Sequence, residues 1–171
     1  MCGLPFSGKT TLATALALRL GWRYISLDAI NTERGVGLEG RAITAAEWDR
    51  SYADVYARIE TCLQDRRSVI YDETNFARSQ RDFLRVIAAE YGVRSYVVHM
   101  TIPEADARRR WLLNRRTLER RDVRVEDLTY VLRHFEPPTC DEQRMICDSA
   151  RTAEELVESV LSRVLADSSV V

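Results

Sequence analysis

The chain has 171 residues, 25 of them Lys or Arg and 26 Asp or Glu, with a formal net charge of −1. This length suits one domain that buries about 70% of its unfolded surface, and the even mixture of charges gives no global attraction to DNA, RNA or an anionic membrane. No apolar run reaches the roughly 18 residues of a membrane helix, and Met1 leads straight into a glycine-rich loop, so a cytoplasmic protein is expected.

Taken in chain order, Leu12, Leu16 and Leu20 recur at helical spacing after that loop, and Gly21 supplies a stop. Residues 22–27 carry the aromatic and β-branched character of a strand that ends at Asp28. Residues 31–40, punctuated by Gly35, Gly37 and Gly40, are expected to form an irregular loop. Thr44 and Glu47 make a capping box for a helix running to about Asp65, with Trp48, Tyr52, Val55, Ile59 and Leu63 on one side. An aromatic stripe of this kind, Tyr56 included, belongs more often to a core than to a pocket.

Residues 69–72 form a short buried strand ending in a carboxylate, 79–91 a helix stopped by Gly92, and 93–100 the next strand. From Pro103 to about Arg116 the chain is helical and basic, with Arg108, Arg109, Arg110, Arg115 and Arg116 around Trp111. A helix over 125–135, a break at Pro137 and Pro138, a strand over 144–147 and a helix capped by Thr152 and Glu155 complete the pattern, with fraying beyond about Leu165. Alternating strands and helices predict an α/β fold, a parallel sheet covered by helices on both faces, in one domain over residues 1–171.

The loop Gly3-Leu4-Pro5-Phe6-Ser7-Gly8-Lys9-Thr10 has the spacing of a phosphate loop, or Walker A motif. Its amides point at anionic oxygens, a lysine reaches the outer phosphates and the next hydroxyl ligates magnesium. Gly3, Pro5, Ser7, Gly8, Lys9, Thr10 and Thr11 are therefore the candidate ATP-binding residues. Thr10 and Asp72 are the candidate Mg2+-linked residues, Asp72 as the carboxylate of a buried strand. Only Met1 and Cys2 precede the loop, so the first strand is expected to be truncated. Either the protein begins upstream of this Met or the strand is drastically shortened, and the sequence leaves both open. Cys2, Cys62, Cys140 and Cys147 match neither a zinc nor a redox spacing and read as reduced thiols. His99 and His134 are too few for a metal site.

With the loop, Asp28, Asp72-Glu73-Thr74-Asn75 and the arginine-rich helix in place, most of the chain resembles the small P-loop kinases of the polynucleotide kinase, chloramphenicol phosphotransferase and zeta toxin-like group, AAA-type ATP-binding proteins. The resemblance implies a P-loop NTPase fold of the nucleoside and nucleotide kinase kind. It also implies γ-phosphoryl transfer from Mg-ATP to a hydroxyl. It makes Asp28 the general base or orienting group on the acceptor hydroxyl, and the segment 103–122 a lid whose Arg110 and Arg115 reach the phosphates. Arg109 or Arg116 could replace either. Asn75 and Arg81 match positions near the family's acceptor pocket. Asn31 stands where polynucleotide kinases carry a phosphate-contacting arginine, for which Arg34 or Arg41 would have to substitute, so a nucleic-acid end is not the favoured acceptor.

The expected activity is thus an ATP-dependent kinase acting on a small molecule or nucleoside. The alternatives are a polynucleotide 5′-hydroxyl kinase and a non-catalytic, regulatory ATP-binding module. The acceptor and the oligomeric state are not specified by any motif.

Overall fold

The chain builds its sheet from two parallel pairs. In the computed structural model, which describes residues 1–168, β1 (Arg23–Ser26) pairs with β2 (Val69–Asp72), and β3 (Val97–Thr101) with β4 (Arg144–Asp148). The stub before the phosphate loop joins them. The Met1 ammonium donates to the Tyr71 carbonyl at 2.7 Å and Gly3 N–H to that of Thr74 at 3.0 Å. On the other side Cys2 N–H donates to Val98 O, and Met100 N–H donates to Cys2 O, both at 2.8 Å. The spatial order is therefore β1, β2, stub, β3, β4. β2 and β3 border an apolar cavity of about 780 Å3 lined also by Leu16, Leu20, Leu84 and Val160.

Successive strand residues point to opposite faces, and both faces are covered. Ile70 packs with Leu12 and Leu16 of α1 (Lys9–Leu20) and with Val157, Val160 and Leu161 of α7 (Ala153–Ser168). Tyr71 packs with Val55 and Ile59 of α3 (Ala45–Gln64) and Ile87 of α4 (Arg78–Glu90). Burying two such clusters supplies the main driving force for this architecture. Among the described residues there are seven α-helices and four strands; none of the helices is long and apolar enough to cross a membrane.

Most expected elements are observed, including the Thr44–Glu47 box on α3, where Glu47 Oε2 accepts from Thr44 N–H at 2.8 Å. Three boundaries differ. β1 ends at Ser26, whose hydroxyl accepts from Ala29 N–H at 3.3 Å and caps α2 (Leu27–Glu33). Asp28 therefore lies in the first turn of a helix, and residues 31–33 are helical instead of loop; a serine cap with an acid in the first turn outweighs the strand-like pattern before it. A 3₁₀ turn at Leu38–Gly40 adds local order to the expected loop. β3 starts four residues late, because Gly92 and Val93 N–H are committed to the carbonyls of Ala89 and Ala88 in closing α4. The expected C-terminal fraying falls on residues 169–171, outside the described residues, while α7 itself runs on to Ser168.

Candidate functional site

The phosphate loop turns because Gly3 adopts φ 141°, where a Cβ would collide with the Met100 carbonyl oxygen. α1 then starts with no capping side chain and no acid in its first turn, which leaves the positive end of its dipole facing outward. Lys9 is buried, and its ammonium donates to Leu4 O at 2.8 Å. Burial lowers its pKa, against the raising charges of Glu73 and Asp72. Ser7 Oγ is buried without a hydrogen-bond partner among the described residues. An anion at the loop would answer these unmet donors.

Beside the loop lies a cavity of about 640 Å3, lined by Pro5, Lys9, Thr10, Asp28, Asp72 and Glu73. Asp72, buried at the end of β2, accepts from the Tyr24 hydroxyl at 2.8 Å. Asp28 opens onto the cavity from α2. The surrounding protein still disfavours its charge and raises its pKa, with Arg121 pulling down and Asp72 pushing up. Burial, then the charge of Asp28, pushes Glu73 up to about 7, against Lys9 and a 3.0 Å hydrogen bond from Thr74. The carboxylates are crowded, a setting that a divalent cation would relieve. Among the described residues no cluster of three His, Cys, Asp or Glu could hold a metal alone. One hydroxyl and one carboxylate, Thr10 and Asp72, nonetheless fit Mg2+, which binds few protein oxygens and keeps water and phosphate ligands.

The arginines sort differently from the sequence expectation. On α5 (Glu104–Thr117), Arg110 Nη1 donates to Phe6 O of the loop at 3.2 Å. Arg115 instead sits over the Trp111 ring at 5.3 Å and 3.7 Å from Asp122, and does not itself line the cavity. Arg108 and Arg109 pair with Glu104 and Asp106. The arginines that do line the cavity are Arg120, Arg121 and Arg124, with Arg41 at its rim, and Arg120 Nη2 also donates to Thr11 Oγ1 at 3.2 Å. They follow the end of α5 and are held by two of its buried residues. Asn114 bonds the Arg120 backbone, and Trp111 Nε1 donates to Val123 O at 2.7 Å. The signal was present as Arg120-Arg121 behind a helix with an amide and an indole on its buried face, but helical periodicity stops at α5.

Of the acceptor-side candidates, Asp28 and Arg41 border the cavity. Arg34 is exposed at the C-terminal cap of α2. Asn75 Nδ2 donates to Met1 O at 2.8 Å, and Arg81 is buried against Glu142, Nε to Oε2 at 2.6 Å, with Nη1 on Asn75 O at 2.8 Å. Both serve the stub by satisfying backbone carbonyls of residues 1 and 75. Neither Asn75 nor Arg81, expected near the acceptor pocket, lines this cavity. Conversely, Trp48, Tyr52 and the fully buried Asn31 line the cavity, although the aromatics also pack against the core.

A family model described as an AAA domain matches residues 1–138. The chain belongs to that family. Among solved structures it is similar to a gluconokinase from Sinorhizobium meliloti, with 24% identity, 94% of this chain and 87% of that one covered, and a TM-score of 0.69. It is also similar to Kti12 from Chaetomium thermophilum in complex with ADP-AlF3, at 22% identity, 94% and 95% coverage and a TM-score of 0.74. A third is the APS kinase of Mycobacterium tuberculosis in complex with AMPPNP and APS, at 18% identity, 94% and 92% coverage and a TM-score of 0.66. No curated protein matches in sequence. The fold of this AAA-domain protein is that of the small P-loop kinases.

Proposed function

We propose that this protein is an ATP-dependent phosphotransferase that moves the γ-phosphoryl group of Mg-ATP to a hydroxyl of a small molecule or nucleoside. The observation that carries the reading is that Lys9 and Thr10 of the phosphate loop open onto the same cavity as Asp28. Phosphoryl transfer needs alignment of donor and acceptor, a proton acceptor and positive charge at the transferred group, and each has a candidate there.

In this reading the loop amides and Lys9 hold the outer phosphates, and Thr10 and Asp72 hold Mg2+, which supplies neutralisation of the phosphate oxygens. Asp28 accepts the proton of the attacking hydroxyl, aided by the charge of Arg121 opposite. Arg110, on the loop carbonyl of Phe6, and Arg120, on Thr11, stand where guanidinium groups can close over bound phosphate. Residues 103–122 then act as the lid. The second reading is a regulatory ATP-binding module that uses the same loop without phosphorylating an acceptor.

Transfer of labelled γ-phosphate from Mg-ATP to nucleosides, sugars, hydroxylated antibiotics and 5′-hydroxyl oligonucleotides tests the proposal. Product formation abolished by Asp28→Asn, with ATP binding retained, is the expected result. ATP hydrolysis with no phosphorylated product favours the second reading, and labelling confined to oligonucleotides moves the acceptor to a nucleic-acid end.

A further inference from the structure

Asn31 is 0% exposed, yet neither Nδ2 nor Oδ1 of its carboxamide has a partner among the described residues. Leaving both atoms unmet is costly in a folded chain unless a ligand completes them. Asn31 is among the residues that line the cavity, one turn beyond Asp28 on α2, and positions three apart share a helix face. Arg121 is tied to the same wall. Its Nη2 donates to Val36 O at 2.8 Å, and Val36 N–H donates to Asn31 O at 2.9 Å. Gly37 leaves space for the guanidinium, since at its φ of 64° a Cβ would collide with Arg121 Nη2. Arg121 Nη1 is likewise buried and unpartnered among the described residues.

These groups set the acceptor's chemistry. A carboxamide with one free donor side and one free acceptor side is complemented by a hydroxyl, which both donates and accepts. The lining carries no net positive charge to favour an anionic acceptor. Asp28, Asp49, Asp72, Glu73, Asp122 and Asp127 line the cavity against Lys9 and four arginines, and two of those, Arg41 and Arg124, are paired with Glu47 and Glu126. Trp48 and Tyr52 offer an apolar wall for the face of a ring.

We propose that Asp28, Asn31 and Arg121 form a subsite for a neutral acceptor bearing two adjacent hydroxyls on a ring, a sugar or a ribose, Asp28 taking the hydroxyl that is phosphorylated and Asn31 its neighbour. The inference rests on the kinase reading above. In the step, the acceptor oxygen bonds to the γ-phosphorus as the bond to the β-phosphate oxygen breaks. The hydroxyl proton passes to Asp28, and ADP leaves.

The test is steady-state transfer from Mg-ATP to a ring diol acceptor, its monodeoxy analogue and its phosphate ester, by the wild type, Asn31→Leu and Asn31→Ala. The diol is preferred over the monodeoxy analogue by the wild type. Either substitution raises KM for the diol about 10- to 100-fold, leaves KM for ATP unchanged and adds little against the monodeoxy analogue. Two variants of different volume guard against a folding defect, and thermal melting with Mg-ATP confirms that each is folded. Equal use of diol and monodeoxy acceptors by the wild type, preference for the phosphate ester, or unchanged diol discrimination in both variants overturns the subsite while leaving the kinase intact. Absence of transfer to every acceptor, with Mg-ATP bound, overturns the kinase reading and the subsite with it.

Discussion

Asn114 grips both polar groups of the Arg120 main chain, its Oδ1 accepting from the N–H at 3.0 Å and its Nδ2 donating to the C=O at 3.2 Å. A buried amide on α5 thereby sets where the chain goes after the helix ends, and carries Arg120 and Arg121 to the cavity.

Asn114→Ala should release that segment. Loss of two part-buried hydrogen bonds is expected to cost about 1–3 kcal/mol of stability, read from urea denaturation. Phosphoryl transfer should fall by more than tenfold with kcat the larger component, since the arginines are needed most when charge develops at the phosphate. Unchanged kcat would separate Asn114 from the arginines.

Arg81 and Glu142 should behave as structural residues. Their side chains are 2% and 0% exposed, so Arg81→Met, which strands a buried carboxylate, is expected to cost about 3–5 kcal/mol. The double substitution with Glu142→Leu should recover much of that loss, and KM for the acceptor should stay within about twofold in whatever fraction is folded. Burial opposes ionisation of Glu142, but hydrogen bonds from Arg81 and the Thr139 amide overcome it and hold its pKa below 4.5. A depressed carboxylate contributes stability above its unfolded pKa and loses it as pH falls through the folded one. Acid titration of stability below 4.5 should therefore be steeper for the wild type than for Glu142→Gln.

Glu73 should show the opposite sign. With its pKa pushed from 4.5 to about 7, the folded state binds more protons than the unfolded state across that window, so stability falls as pH rises through it. In the metal-free protein Glu73→Gln is expected to flatten this dependence by on the order of 2 kcal/mol, after allowance for partial exposure. Urea midpoints across the window check it; parallel curves for the two proteins would show that Glu73 is ionised at its ordinary pKa.

Gly3→Ala should disable the loop. The added methyl meets the Met100 carbonyl at a backbone conformation that alanine avoids, and the stub holds β2 and β3 together. A loss of about 2–4 kcal/mol should accompany loss of the Mg-ATP-induced rise in melting temperature. A wild-type shift with Mg-ATP would show that the loop tolerates the change.

What could be read from the residues was what depends on neighbours close in sequence. The caps at Thr44 and Thr152, the strand at Val69–Asp72 and the basic helix α5 rest on spacings of two to four residues, and all were legible. The strand expected to run through residue 27 ends at Ser26 because that residue's cap on α2 competes locally with the strand pattern, and both signals are short-range.

The residues by themselves determined the α/β alternation, the phosphate loop and the carboxylates of the cavity. Only the tertiary structure decided which arginines serve it, that Asn75 and Arg81 hold the stub instead, and that Asn31 is buried with its amide unmet. The contacts responsible span 74 residues from Asn75 to Met1, 61 from Arg81 to Glu142 and 85 from Arg121 to Val36. No periodicity encodes such pairs, because they form only when segments distant in the chain are brought side by side by the fold.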